Sequence, residues 1–226
     1  MSVILLIETT TVNCSVALHQ DGKIIRLREE SAEHFVHAES LHVFIRSVIE
    51  ESGFRMNDLD AIAVSQGPGS YTGLRIGISA AKGFCFALNK PLIAVDTLEA
   101  LAENAQLSGV EADIIIPMID ARRMEVYCAV YDGKLNKLEG PTAVVIDESY
   151  FGKYGDQRLI LTGDGSAKFQ HLVSAQTTSL NRMPSATMLS NIAQRKFDSG
   201  LFEDVAYFDP FYLKDYIPGV AKKSVL

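Results

Sequence analysis

The chain has 226 residues, with 21 Lys plus Arg against 28 Asp plus Glu, 47% hydrophobic residues and 22% charged ones, an ordinary globular composition that excludes disorder for most of its length. That length allows one domain or two small lobes, and the longest apolar runs, such as Val3 to Ile7 and Ile114 to Met118, fall far short of the roughly 18 residues a membrane span needs. A net charge of −7 argues against a surface built as a whole to bind nucleic acid, and leaves only a local patch or an indirect role through a partner.

Met1-Ser2 leads directly into a strand-like run, with no basic segment, long apolar stretch and small-residue cleavage site, so a cytoplasmic location is expected. Val3 to Ile7 predicts a buried strand, Glu8 to Asn13 a polar turn, Cys14 to His19 a second strand, Gln20 to Lys23 a hairpin turn and Ile24 to Leu27 a third strand. Leu41, Phe44, Ile45, Val48 and Ile49 recur at helical spacing within His34 to Ser52, and Gly53 sits where that helix would stop. Ala61 to Ser65 reads as a short buried strand, Gln66 to Tyr71 as a Gly/Pro loop, and Thr72 to Leu88 as a helix rich in small residues. Leu92 to Val95 is a strand, and Asp96 with Glu99 fits a capping box opening a helix through Glu103.

A lobe boundary is expected at Gln106 to Ala112, dividing the chain into residues 1–105, 106–203 and a tail, 204–226. Beyond it the β pattern restarts, with strands over Asp113 to Asp120 and Glu125 to Tyr131 around a tight Ala121-Arg122-Arg123 turn, an extended piece over Pro141 to Ile146, and Arg158 to Thr162 leading into Gly163-Asp164-Gly165. Ser185 to Phe197 reads as a last helix opened by Pro184, and the aromatic tail is expected to pack back on a lobe.

Gly67-Pro68-Gly69-Ser70-Tyr71-Thr72-Gly73, between a strand and a helix, is the most specific segment. Free N–H groups and the helix dipole collect anions at such a place, yet the glycines match neither a P-loop nor GxGxxG. A tight turn that merely brings helix and strand together fits equally well. Glu8-Thr9-Thr10-Thr11 is a second candidate phosphate-facing turn, or else a plain polar turn. His34 and His37 share one helix face but lack the partners a zinc site requires, and Cys14, Cys85 and Cys128 lie in apolar stretches without a neighbouring base. Gly73, Gly77 and Ala81 leave one helix stripe without bulk, and Leu41, Ile45 and Val48 offer a matching apolar ridge, suited to an internal or an intermolecular contact. Arg122 and Arg123 form a charged corner able to meet a phosphate or an acidic partner.

Taken together, Ile4 to Thr10, Ser65 to Gly77, Ala81-Lys82-Gly83, Pro91 to Val95 and Ile119 to Tyr127 resemble the bacterial TsaB (YeaZ) family, most specifically between residue 3 and about residue 131. The resemblance implies an α/β chain with two lobes of the actin/hexokinase/Hsp70 ATPase-like (ASKHA) fold, the second lobe reduced. It also implies a part in forming threonylcarbamoyladenosine on the tRNA adenosine beside the anticodon. In that family the protein is a non-catalytic partner of a TsaD-type transferase that works with a TsaE-type ATPase. It forms a homodimer when alone, meets tRNA through the complex, and has ATP or ADP, if any, at the complex interface.

The transferase paralogue carries two metal-binding histidines where this chain has Thr97 and Leu101, and neither can replace imidazole, so no intrinsic metal is expected. Glu8 stands where Asp is most common, and its extra methylene works against close approach of phosphate or Mg²⁺. On this reading the chain has no catalytic residues. Glu8, Thr9, Thr10, Gly67, Gly69, Ser70, Thr72 and Gly73 are the nucleotide-facing candidates, and Leu41, Ile45, Val48, Gly73, Leu74, Gly77 and Ala81 the partner interface. Arg122 and Arg123 are the candidates for tRNA or partner contact. The alternatives are a small-molecule kinase, which needs a base and a nucleotide cleft between two full lobes, or a metallopeptidase, which needs metal ligands.

Overall fold

The computed structural model describes residues 2–31, 36–147, 149–172 and 176–214. The first unit comprises β1 (Val3–Glu8), β2 (Asn13–Gln20), β3 (Lys23–Ser31), α1 (His37–Ser52), β4 (Ala61–Gly67), α2 (Tyr71–Leu88) and β5 (Leu92–Asp96). The sheet order is β3-β2-β1-β4-β5, antiparallel through the opening meander and parallel from β1 to β5. Helix α3 (Thr97–Gln106) leads to the second unit, formed by β6 (Ile114–Asp120), β7 (Glu125–Asp132), β8 (Lys137–Val145), β9 (Leu159–Thr162) and β10 (Thr177–Leu180). Their order, β10-β9-β6-β7-β8, repeats the first sheet with the same mixture of pairings.

Strand alternation explains the layering. Cys14, Val16 and Leu18 of β2 join Val3, Leu5 and Ile7 of β1 in the core beneath α1 and α2. The opposite face of β1 carries Ile4 and Leu6, which pack with Ile93, Val95, Leu189 and Ile192. There β2 presents Asn13, Ser15, Ala17 and His19, all buried. Strand periodicity suggests solvent for the polar ones, but the chain returning from the second sheet covers them. Asn13 Nδ2 donates to the Pro184 carbonyl (2.9 Å), the Ala186 amide donates to Ser15 Oγ (2.9 Å), and His19 meets Ser190 Oγ and Gln194 Oε1 at 2.7 Å each. These bonds satisfy polar groups that burial would otherwise leave at a cost of about 1–3 kcal/mol each. Helix α3 lies between the sheets, its Leu98, Leu101 and Ala105 packed with Ile115, Ile119 and Ile160.

Most expected elements form. Gly53 closes α1 in the left-handed region at φ 77°, and Asp96 caps α3 by accepting from the Leu98 and Glu99 amides. The last helix differs: Ala186–Leu189 is a 3-10 turn, and only Ser190–Asp198 is α-helical (α4). Helix α4 also packs on the first sheet, not with the second lobe to which the sequence assigns it, because the polar face of β2 supplies its partners. The second lobe contains short 3-10 helices and β10, which no periodicity announced, and β8 extends beyond the expected Pro141 to Ile146 piece. His34 lies outside the described residues.

The outward reading of the helix stripe is corrected. Leu41, Ile45, Val48, Leu74 and Ala81 are buried in the chain's own core. Gly73 and Gly77 face the β1–β2 turn, where a Cβ on Gly73 would stand 2.0 Å from the Thr9 carbonyl oxygen and one on Gly77 2.2 Å from Thr9 Oγ1. The missing bulk seats a turn, not a second molecule. Gly73→Ala is therefore expected to lower stability by about 1–3 kcal/mol in urea unfolding, because a backbone atom blocks the methyl group. Gly77→Ala should cost less, since the Thr9 side chain can rotate away. Equal stability of wild type and Gly73→Ala would refute the contact.

Candidate functional site

The two phosphate-facing candidates do come together, at the ends of β1 and β4. Glu8 is fully buried on the side of the sheet that faces the second lobe. Its Oε1 accepts from the Thr10 amide (2.6 Å) and hydroxyl (2.5 Å), and its Oε2 from Ser65 Oγ. Burial raises its carboxyl above the ordinary range, with those hydrogen bonds opposing the rise and Asp164 adding to it. Thr9 and Thr10 are buried as well, and Thr9 Oγ1 donates to the Gly73 carbonyl (2.8 Å).

The glycine loop is sealed by the same turn. The Ser70 amide donates to the Thr10 carbonyl (2.6 Å), the Gly73 amide to Ser70 Oγ (3.3 Å), and the Leu74 amide to the Ser70 carbonyl (2.8 Å). A Cβ on Gly69 would lie 2.5 Å from the Thr10 carbonyl oxygen. Gly67, at φ 113°, is covered from the other side by the tail, whose Phe211 amide donates to the Gln66 carbonyl (2.8 Å). Of the eight nucleotide-facing candidates, only Thr72 at the helix start is exposed. The Ser70 and Gly73 amides are thus engaged within the chain, and the close approach of the turn gives the glycines a packing role.

The duplicated topology sets a matching pair in the second lobe. The β6–β7 corner, Asp120 to Met124, corresponds to the β1–β2 turn, and Gly163-Asp164-Gly165-Ser166 after β9 corresponds to Gly67-Pro68-Gly69-Ser70 after β4. Asp164 accepts from the Asp120 amide (3.1 Å), and burial, with Asp120 nearby, lifts its carboxyl to about 6. Sequence reasoning passed over Asp164 as part of a turn. The repeated Gly-X-Gly-Ser was the available signal. Arg122 and Arg123 stand exposed at the corner with φ 70° and 54°. The turn beneath them is held by Lys168, which donates to Asp120 Oδ1 (2.5 Å) and to the Arg123 carbonyl (2.7 Å).

A family metal does not fit. Thr97 and Leu101 are fully buried at the positions where the resemblance places histidines, and among the described residues no three His, Cys, Asp or Glu side chains cluster as a metal site. His37 instead bonds the Thr11 carbonyl through Nε2 (2.7 Å). The three cysteines are buried, and burial raises the thiol pKa values of all three. No described helix is long and apolar enough to cross a membrane.

The outward side of α1 and α2 is a separate surface. Val43 is 49% exposed and Phe86 85%, while His42 and Phe84 bring the two helices together with ring centroids 5.9 Å apart. Gly83 lies on this side with open space where a Cβ would stand. The tail takes the flank of α2, stacking Tyr212 on Tyr71 (4.8 Å) beside Arg75, whose guanidinium lies 4.2 Å from the Tyr71 ring centroid.

A family model described as TsaD, tRNA N6-adenosine threonylcarbamoyltransferase, matches residues 30–208. The tRNA threonylcarbamoyladenosine biosynthesis protein TsaB of Escherichia coli K12 is 31% identical over 225 residues, 95% of each chain. The solved structure of YeaZ from Pseudomonas aeruginosa superposes with a TM-score of 0.80 at 29% identity, over 94% of this chain and all of that one. An activator of 2-hydroxyisocaproyl-CoA dehydratase from Clostridium difficile, solved with ADPNP, matches at TM-score 0.53 and 10% identity over 89% of this chain and 99% of its own, a likeness of fold alone. The two repeated sheets are thus the lobes of the α/β actin/hexokinase/Hsp70 ATPase-like fold. With a family model over most of its length and a relative similar from end to end, the chain belongs to the TsaB (YeaZ) family.

Proposed function

We propose that this chain serves tRNA threonylcarbamoyladenosine formation as a non-catalytic subunit that docks onto a TsaD-type transferase, in a complex with a TsaE-type ATPase. The observation that carries the reading is the sealed turn. Glu8, the carboxylate a kinase of this fold would need at the cleft, is engaged by Thr10 and Ser65, and the Ser70 and Gly73 amides of the glycine loop donate within the chain. Any ATP or ADP accordingly belongs at the interface with the partner. The acidic chain meets tRNA through the complex, with Arg122 and Arg123 as the local basic contact to a phosphate or an acidic partner.

The docking surface is the outward side of α1 and α2. A glycine inside a helix costs about 0.5–1 kcal/mol relative to alanine, and among the described residues Gly83 has no neighbour that excludes a Cβ. An external helix approaching closely would supply the reason for it, flanked by the exposed Val43 and Phe86. The same surface serves the homodimer when the chain is alone, so the two assemblies compete.

Light scattering on a sizing column tests this directly. The chain alone should run as a homodimer and, mixed with the transferase from the same cell, as a one-to-one heterodimer. Gly83→Leu should weaken both assemblies while the monomer keeps its secondary structure by circular dichroism, since its side chain enters open space. Absence of any complex, together with ATP hydrolysis by the chain alone, would move the assignment to a small-molecule kinase.

The second-lobe carboxylate supplies a pH prediction. Because the folded Asp164 titrates near 6 against an ordinary 3.8, the folded state binds the proton more tightly than the unfolded one. Its contribution is fully present below about pH 4 and is lost as pH rises through 6. Asp164→Asn, which keeps an acceptor for the Asp120 amide, should raise stability at pH 7 by about 1–3 kcal/mol. The gain should vanish below about pH 4 in pH-dependent urea melts, and a variant no more stable than wild type at pH 7 would contradict it.

A further inference from the structure

A pocket of about 590 Å³ opens between the β2–β3 edge of the first sheet, the C-terminal half of α3 and the segment that returns to α4. That is an ordinary size for a small-molecule site. Apart from Asn13 at the end of the β1–β2 turn, its described lining residues belong neither to that turn nor to α1 and α2. Its lining contains one carboxylate, Glu29, and one guanidinium, Arg182, and each is anchored separately. Glu29 Oε2 accepts from Ser15 Oγ (2.9 Å) and Ser185 Oγ (2.7 Å), which leaves Oε1 without a partner among the described residues. Arg182 Nη1 donates to Asn104 Oδ1 (2.6 Å) and its carbonyl (3.3 Å), which leaves Nε and Nη2 without one.

Two opposite charges on one wall ordinarily close on each other. Here they form no ion pair, since both are tethered by groups behind them, and the tethers are themselves held: Ser15 Oγ accepts from the Ala186 amide at 2.9 Å, and Ser185 is buried. Both residues line the same pocket, Glu29 exposed to solvent and Arg182 half-buried. Arg182 keeps Nε and Nη2 outside its bonds to Asn104, an edge able to receive a carboxylate in two parallel hydrogen bonds. Glu29 offers a fixed acceptor for an ammonium group. Met183 and Met188 supply apolar lining, and among the described residues that line it there is no aromatic ring.

We propose that this pocket binds a small zwitterion of the α-amino-acid class, its carboxylate on Arg182 and its ammonium on Glu29. The assignment is independent of the assembly reading above.

The test is calorimetry and thermal shift on the full chain with each free L-α-amino acid, with inorganic phosphate and with AMP as separate probes. At least one amino acid at up to about 10 mM should bind and raise the melting temperature. Arg182→Met and Glu29→Gln should each weaken that binding roughly tenfold to a hundredfold, the range expected for loss of one charged hydrogen-bonding partner. The N-acetylated form of the same amino acid should bind more weakly to wild type, with no additional loss in Glu29→Gln. This comparison holds even where a substitution perturbs folding, because it alters only the ligand. Binding of no amino acid, binding of phosphate or AMP alone, or amino-acid binding indifferent to Glu29→Gln would each overturn the proposal.

Discussion

The contact of the β1–β2 turn with the start of α2 is the constraint around which the rest of the first lobe is arranged. Thr9 and Thr10 sit so close to Gly69, Gly73 and Gly77 that no side chain fits between them. That closeness brings the Ser70 amide onto the Thr10 carbonyl and Thr9 Oγ1 onto the Gly73 carbonyl. It fixes α2 on the sheet beside the buried Glu8 and engages the Ser70 and Gly73 amides. The same packing makes the loop a structural joint between the β1–β2 turn and α2.

A second consequence is a division of surfaces. Because Leu41, Ile45, Val48 and Leu74 are committed to the sheet beneath them, α1 and α2 are free to present a different set of residues outward. The glycines of α2 accordingly fall into two kinds. Gly73 and Gly77 are required by the chain's own turn, whereas a Cβ at Gly83 would meet none of the described residues. Spacing along a helix does not separate these kinds, since one stripe of small residues looks the same whether a turn or a partner fills it.

The two lobes are also joined through polar chemistry. The interlobe face of β2, with Asn13, Ser15 and His19, receives the returning segment and α4, and so takes a helix that follows the second sheet in sequence back to the first. Lys214 pairs with Glu125, tying the tail to the second-lobe hairpin, and Arg195 pairs with Glu103 to tie α4 to α3. Polar alternation on a strand reads as solvent exposure, and here it marks a buried seam.

What the sequence by itself determined is local. Apolar runs, turn residues and caps specify the opening meander, α1 with its Gly53 stop, α2, and α3 with its Asp96 cap, because these depend on neighbours within a few residues. The absence of metal-ligating side chains at Thr97 and Leu101 was legible in the same way. The tertiary structure alone decided which face each stripe buries, that α4 crosses back to the first sheet, and that Glu8 and the glycine loop are sealed. It also decided that Gly67-Pro68-Gly69-Ser70 and Gly163-Asp164-Gly165-Ser166 occupy equivalent places in a duplicated topology, and that Glu29 and Arg182 share a pocket. These properties depend on distances between residues far apart in the chain, and a burial pattern records that a side chain is covered without recording what covers it.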